Sequence, residues 1–490
     1  FATNISTEHF VGLAADGHRL GLVAGGWEWM ASLCLIMLAC VFAPQYLRHK
    51  VFTIPEFFEK RYGPEMRMSL TVYFLAMIVL TMVSLALFSG KMVLEYFTGF
   101  SGDSILWTIG ILTAAYTLIG GLRAVIYTDF VQSIILIGGS VILTWIGLDA
   151  VGGWDGLTAK LAEKDKLDML SMVKGVDHEL PFTGYLLGNF LIGGMFYWCM
   201  DQVNVQRVLG ARNLHHATSG AIFAGFLKII PVFIFVLPGI IGFILYNEQL
   251  TGEDGKVKYN DTYSMLLENL LSPGLRGVVL AALLAALMSS LSSSFNSVAT
   301  LVGRDIVARW SSTDNTSNKI FSGRVALVAV MVLGIFATPL IESQETLWKY
   351  LQVVTGYLSV PFAVAGLLGI FSSRMNRQGA LCGVAMGIIA GTVLLLDSEI
   401  YQWQVSFLRH EYLGSFLHRH FLSAVLTAAS MITVSLLTPP PSEEIQKGSF
   451  SLRRGWGELS DAHKGWIGVL LSLIHISAPT SRYAISYAVF

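Results

Sequence analysis

Apolar residues fall along this chain in blocks of roughly twenty, separated by short polar breaks. At about 1.5 Å per helical residue, such blocks match the ~30 Å hydrocarbon core of a bilayer. The pattern predicts spans at about 21–46, 70–97, 104–121, 124–148, 185–205 and 216–246. Five more follow at about 277–308, 319–341, 347–371, 378–396 and 416–437. A shorter apolar piece opens the chain and another begins near Gly465, so the prediction is an all-α membrane protein of about eleven complete transmembrane helices with partial helices at both ends. Lys and Arg concentrate in one set of alternate loops, the set holding Arg48, Lys60, Arg67, Arg123, Arg207, Arg304, Arg374 and Arg454. The positive-inside bias makes that set cytoplasmic, with Gly120-Gly121-Leu122-Arg123 as a tight inner turn between two spans.

Composition excludes the alternatives. Of 490 residues, 54% are apolar and only 13% are charged, about half the usual charged share of a soluble domain. The mean hydropathy is +0.61. A net charge of −1 with no basic run gives no footprint for nucleic acid. Cys34, Cys40, Cys199 and Cys382 lie in apolar surroundings and read as small buried hydrophobes. His410, His418 and His420 fall in an outward loop and His215-His216 in an inward one, neither a metal pattern. No nucleophile triad, phosphate loop or cofactor motif is present, which argues against an enzyme.

The informative residues are polar groups inside apolar spans, where each is costly. They are Glu28 in GGWEWMA, Asp129 in IYTDFVQS, Tyr197-Trp198 before Asp201-Gln202, and Lys228. Span 277–308 adds a hydroxyl ladder from Ser289 to Ser297, and span 347–371 adds Gln352 and Thr355. Each has a structural reading too: serines bond back to the preceding turn, and Lys228 is a candidate ion-pair partner for Glu28 or Asp129. Together they make a polar interior richer than packing requires. The opening TNISTEHFVG is full of residues that compete with helical hydrogen bonds, so a break is expected there. Carbonyls freed at membrane depth, facing hydroxyls spaced like Ser289, Ser292 and Ser293, suit a hard monovalent cation better than zinc or copper.

Long strings in order resemble the sodium/solute symporter family, and within it the sodium–glucose/galactose cotransporter branch. They include NISTEHFVG (4–12), FTIPEFFEKRYG (52–63), YTLIGGLRAVIYTDFVQ (116–132), FYWCMDQVNVQRVLGARN (196–213), MSSLSSSFNSVATLVGRDI (288–306) and LWKYLQVVTGYLSVP (347–361). The resemblance covers about residues 1–471 and implies a LeuT-type inverted repeat, five spans related to the next five, with the chain opening inside the broken first repeat helix. After Leu471 the composition changes abruptly, and 472–490 reads as a non-native tail.

By that resemblance, sodium is the co-transported ion. The principal sodium site is similar to the carbonyls of Ala2, Ile5 and Ala286 with the hydroxyls of Ser289 and Ser290; a second, inner site maps to Asp129, Ser289, Ser292 and Ser293. The sugar site resembles Asn4, His9, Glu28, Lys228 and Gln352, with Tyr197 and Trp198 beneath the sugar. Lys349, where the family often has an acid, and Ala31 and Gly194, where some members have polar contacts, depart from the pattern. The resemblance implies a multi-pass plasma-membrane symporter importing a monosaccharide by alternating access, with inositol transport or a transporter-like solute receptor as alternatives.

Overall fold

The structure is a computed structural model describing residues 4–5, 7–100, 102–307, 316–341, 346–397, 413–447, 456–457 and 459–477, less the side chains of 120–130, 132–133, 316, 446–447 and 475–477. Apart from one isolated bridge between Thr251 and Val257, the regular elements among these residues are helices. In order they are α1 (9–20), α2 (26–48), α3 (Ile54–Tyr62), α4 (Pro64–Thr98), α5 (Ser104–Val151), α6 (Gly153–Glu163), α7 (182–199) and α8 (Gln202–Leu209). Then come α9 (Leu214–Leu250), α10 (Thr262–Leu270), α11 (Pro273–Val307), α12 (Thr316–Ala337), α13 (Leu347–Phe371), α14 (Arg377–Leu395), α15 (Phe416–Leu437) and α16 (Asp461–Ser477). Among the described residues, nine helical stretches are long and apolar enough to cross a membrane, and Ser104–Ile119 is a shorter apolar helix.

Helical backbone runs through all of α5, where two spans are expected, yet its contacts show that it doubles back. Leu287 meets Gly90 beside Ile109, while Val279, about two turns earlier on α11, meets Gly139. A straight helix would carry Gly139 about 45 Å beyond Ile109. The outgoing half runs antiparallel to α12, with Gly110 against Met331 and Ile335 and Ile119 beside Arg324 and Val325. The contacts place the reversal between Ile119 and Gly139, so the chain passes twice here, as the two expected spans require.

Local chemistry sets the interruptions. Gly21 turns the chain from α1 into α2 at φ 83°, where a side chain would also collide with the Met169 carbonyl. The span expected at 185–205 is cut at Asp201, whose extended backbone ends α7 and whose carboxylate accepts the amides of Val203 and Asn204 to start α8. Within α9 the helix loosens at Lys228, because Pro231 has no N–H to give the Leu227 carbonyl. Residues 4–5 are likewise non-helical, as the opening sequence predicts.

Two apolar clusters form around these breaks. One gathers Phe10, Trp27, Tyr185, Phe235, Tyr263, Leu283 and Trp348; the other gathers Phe42, Phe74, Phe196, Leu287, Phe295 and Phe362. Trp27 and Trp348 of the first cluster and Trp198, packed against the second, wall one cavity. Cys34, Cys40 and Cys199 are buried and the four described cysteines carry no disulfide, as expected of small hydrophobes. Residues 478–490 lie outside the described residues, and α16 extends through 472–477.

One close helix crossing, between α1 and α9, constrains the sequence tightly. A Cβ on Gly239 would stand 2.2 Å from the Ala14 carbonyl oxygen, and one on Gly17 2.3 Å from that of Val236. Gly239→Val should therefore separate α1 from α9 and destabilise the fold by about 1–3 kcal/mol, as overpacked cores do. Thermal melting of the detergent-solubilised protein checks this, and an unchanged midpoint would contradict the crossing.

Candidate functional site

Five helices bring their polar residues to one narrow cavity. Its lining includes Asn4, His9, Glu28, Tyr197, Trp198 and Gln352, six of the seven residues expected to hold sugar. The seventh, Lys228, stands immediately behind, fully buried, donating to Glu28 Oε2 at 2.6 Å. Its ammonium also lies 4.9 Å from the centre of the Trp198 ring, a cation–π contact. His9 Nε2 is 3.8 Å from Glu28 Oε1, and the His9 ring meets Trp348 edge-on at 4.8 Å. Asn4 donates to the Tyr197 hydroxyl at 2.8 Å, so one hydrogen bond joins the break before α1 to the end of α7.

Of the two structural pairings open for Lys228, that with Glu28 forms. The side chain of Asp129 lies outside the described residues. A buried pair of this kind holds together only with near-ideal geometry, because each ion has lost its water. One face of α13 supplies Trp348, Gln352, Thr355 and Ser359 at helical spacing, together with Gly356.

Several buried polar atoms on this lining have no hydrogen-bond partner among the described residues: Asn4 Oδ1, His9 Nδ1, Trp27 Nε1, Trp348 Nε1, Thr355 Oγ1 and His420 Nε2. Each such atom costs on the order of 1–3 kcal/mol if nothing binds it. The arrangement can thus exchange hydrogen bonds with a small polyhydroxylated molecule. Trp348 and His420 are functional candidates that sequence reasoning passed over. Trp348 had a signal, four residues before Gln352 and hence on the same helix face. His418 and His420 correct the sequence expectation, since both are buried on α15 rather than in an outward loop; His410 lies outside the described residues.

For the sodium sites, Ile5, Ala286, Ser289, Ser292 and Ser293 are buried and Ser290 is partly so, while Ala2 lies outside the described residues. The Thr7 hydroxyl reaches the Leu283 carbonyl at 3.4 Å, which lays the opening segment against α11 one turn before Ala286. On the inner side, Ser292 donates to the Ser289 carbonyl at 2.8 Å and Ser293 accepts from Arg207 at 2.7 Å. The Arg207 guanidinium therefore stands beside the set expected for a second ion.

Above the cavity, Glu179 accepts both guanidinium nitrogens of Arg19, at 2.7 and 3.2 Å, and lies 3.6 Å from Lys349. The departure noted at Lys349 thus has a carboxylate to meet. The clasp ties α1 to α13 through the loop before α7.

An all-helical bundle with two interrupted helices facing each other across a central polar cavity is the architecture of a LeuT-type secondary transporter. A model of the sodium:solute symporter family matches residues 1–387, and the chain belongs to that family. Sodium/glucose cotransporter 1 of Ovis aries is 32% identical over 433 residues, 82% of this chain and 65% of that relative. Sodium/myo-inositol cotransporter 2 of Oryctolagus cuniculus is 33% identical over 481 residues, 91% of this chain and 71% of the relative. The chain thus spans about two thirds of the length of these curated relatives. Among solved structures, a substrate-bound outward-open Na+-coupled sialic acid symporter superposes with TM-score 0.76 at 21% identity, covering 92% of this chain and 89% of the other. Mhp1, a nucleobase-cation-symport-1 family transporter, superposes with TM-score 0.55 at 16% identity, covering 91% and 93%. Both support the fold.

Two outcomes follow from the ion pairs. Lys228→Met should strand Glu28 in the core and cost about 3–5 kcal/mol, much of it recovered in the double variant with Glu28→Gln; a thermal-melt double-mutant cycle measures the coupling. At Glu179, burial raises the carboxyl, but the bond and charge of Arg19, then Lys349, outweigh it and hold the group below its ordinary range. A lowered folded value means that the clasp stabilises the protein above the usual glutamate titration near pH ~4.3 and is lost as pH falls through the lower folded value. Melting midpoints between pH 3 and 6 should therefore drop less steeply in Glu179→Gln than in the unaltered protein.

Proposed function

We propose that this chain is a sodium-coupled symporter of the plasma membrane that imports a monosaccharide of the glucose/galactose type by alternating access. The observation that carries the reading is the convergence, on the Glu28–Lys228 cavity, of buried acceptors and donors without a partner among the described residues. Sugar hydroxyls both donate and accept, so they call for carboxylate, amide, imidazole and hydroxyl partners together. The Tyr197 and Trp198 rings offer apolar surface to the C–H face of a pyranose.

Sodium at the carbonyls of Ala2, Ile5 and Ala286 and the hydroxyls of Ser289 and Ser290 bridges the opening segment to α11. That bridge favours the state open to the outside, where sugar binds. Closure over the sugar, inward opening and loss of sodium then release the cargo. Moving one charge through 100 mV supplies ~2.3 kcal/mol, and a tenfold sodium gradient adds ~1.4 kcal/mol. One ion could therefore sustain a sugar ratio of several hundredfold, and a second at Asp129, Ser289, Ser292 and Ser293 would square it.

A cyclic polyol is the second reading, favoured by myo-inositol cotransporter relatives at 33–34% identity beside glucose cotransporters at 32%. Proteoliposome uptake of labelled galactose, glucose and myo-inositol, with and without a sodium gradient, decides between them. Sodium-driven hexose accumulation is expected; inositol flux without hexose flux would change the cargo, and binding without flux would make the protein a solute receptor. Ser290→Ala should raise the sodium needed for half-maximal uptake, and Gln352→Ala should weaken sugar affinity, each by about tenfold for one lost ligand contact. Unchanged kinetics in both would refute the residue assignment.

A further inference from the structure

We propose that His420, on a helix outside the two five-span repeats, is a hydroxyl-reading residue of the sugar site and sets which hydroxyl of the cargo is recognised. The inference rests on the transport reading above and goes beyond it, since neither the sequence pattern nor the matching strings place α15 at the cargo.

Three observations converge. His420 is 2% exposed and lines the same cavity as Glu28, Gln352 and Thr355. Its Nε2 is buried without a hydrogen-bond partner among the described residues, and so is Thr355 Oγ1, contributed to the same lining by α13. The ring reaches that far because residue 356 is glycine: a Cβ there would lie 1.8 Å from His420 Cε1 and 2.4 Å from Nε2. Any side chain at 356 would occupy the place of the imidazole, so Gly356 and His420 fit as a pair.

The ring is also held. Tyr357 meets it edge-on at 4.5 Å and 89°, and Phe416 at 5.4 Å and 69°. A histidine fixed by two aromatic neighbours, yet leaving one buried nitrogen without a partner among the described residues, is costly as mere packing. A neutral imidazole has one donor and one acceptor nitrogen, which suits a hydroxyl able to play either part. Thr355 can take the other role on the same hydroxyl, so His420 and Thr355 form a two-point clamp on one sugar position.

The test is equilibrium binding of galactose and its 2-, 3-, 4- and 6-deoxy derivatives to the purified protein in sodium, followed by intrinsic tryptophan fluorescence. In the unaltered protein one deoxy sugar should bind about tenfold more weakly than galactose through loss of the clamped hydroxyl. In His420→Ala galactose should fall by a similar factor, and that same deoxy sugar should lose little more. His420→Gln, which keeps a donor and an acceptor, should recover part of the affinity, and Gly356→Ser should reproduce the alanine phenotype by displacing the ring. A uniform weakening of every sugar in His420→Ala, or unchanged galactose affinity, would reduce His420 to a packing residue and overturn the inference while leaving the transport reading intact. Failure of the unaltered protein to bind galactose, glucose or inositol would instead overturn both.

Discussion

The organisation of this molecule depends on an ion pair placed where lipid would otherwise dictate apolar side chains. Glu28 and Lys228 are each almost wholly removed from solvent and meet at 2.6 Å. Neither charge is tolerable alone at that depth, so each fixes the position of the helix that carries the other. Lys228 sits where Pro231 loosens α9, and Glu28 sits in the first turn of α2. The pair thereby joins the first half of the bundle to the second at the level where both are least regular. His9 and Trp198 complete the setting, one facing the carboxylate and the other facing the ammonium.

Around that pair the fold keeps its rigidity in apolar clusters and its irregularity in a thin polar layer between them. The break before α1, the end of α7 and the loosened turn of α9 each bring a polar side chain to the cavity or directly behind it. The Asn4–Tyr197 bond spans two of them directly. Main-chain groups released by such breaks are useful only where a cavity, an ion or a cargo can satisfy them. The Arg19–Glu179–Lys349 clasp closes the same helices from the loop side, so the elements that touch the cavity are also the elements tied above it. A site and a closure that share their helices are what alternating access requires.

His420 shows how a cavity is shaped from outside the repeat. The two halves supply carboxylate, ammonium, amide and aromatic faces, while α15 adds an imidazole through a gap left by Gly356. Membership in the sodium:solute symporter family therefore does not by itself determine the chemistry of the lining. Lys349 makes the same point, because its departure from the family pattern is answered by a glutamate from a distant loop.

The sequence alone determined the membrane class, the succession of apolar spans, the break in the opening segment and most of the candidate site. Those features are local or periodic: twenty-residue apolar blocks, turn-forming residues, and polar groups too costly to sit in lipid without purpose. Strings of family resemblance then named Asn4, His9, Glu28, Tyr197, Trp198, Lys228 and Gln352, six of which line one cavity while Lys228 backs it. Only the tertiary structure decided that Lys228 pairs with Glu28, that Asp201 and Pro231 interrupt two spans, and that His420 faces the cavity instead of a loop. The reason is rotational. Hydropathy fixes that a helix crosses the membrane, but in a nearly all-apolar span it leaves open which side faces inward, and only the packing of neighbouring helices settles that angle.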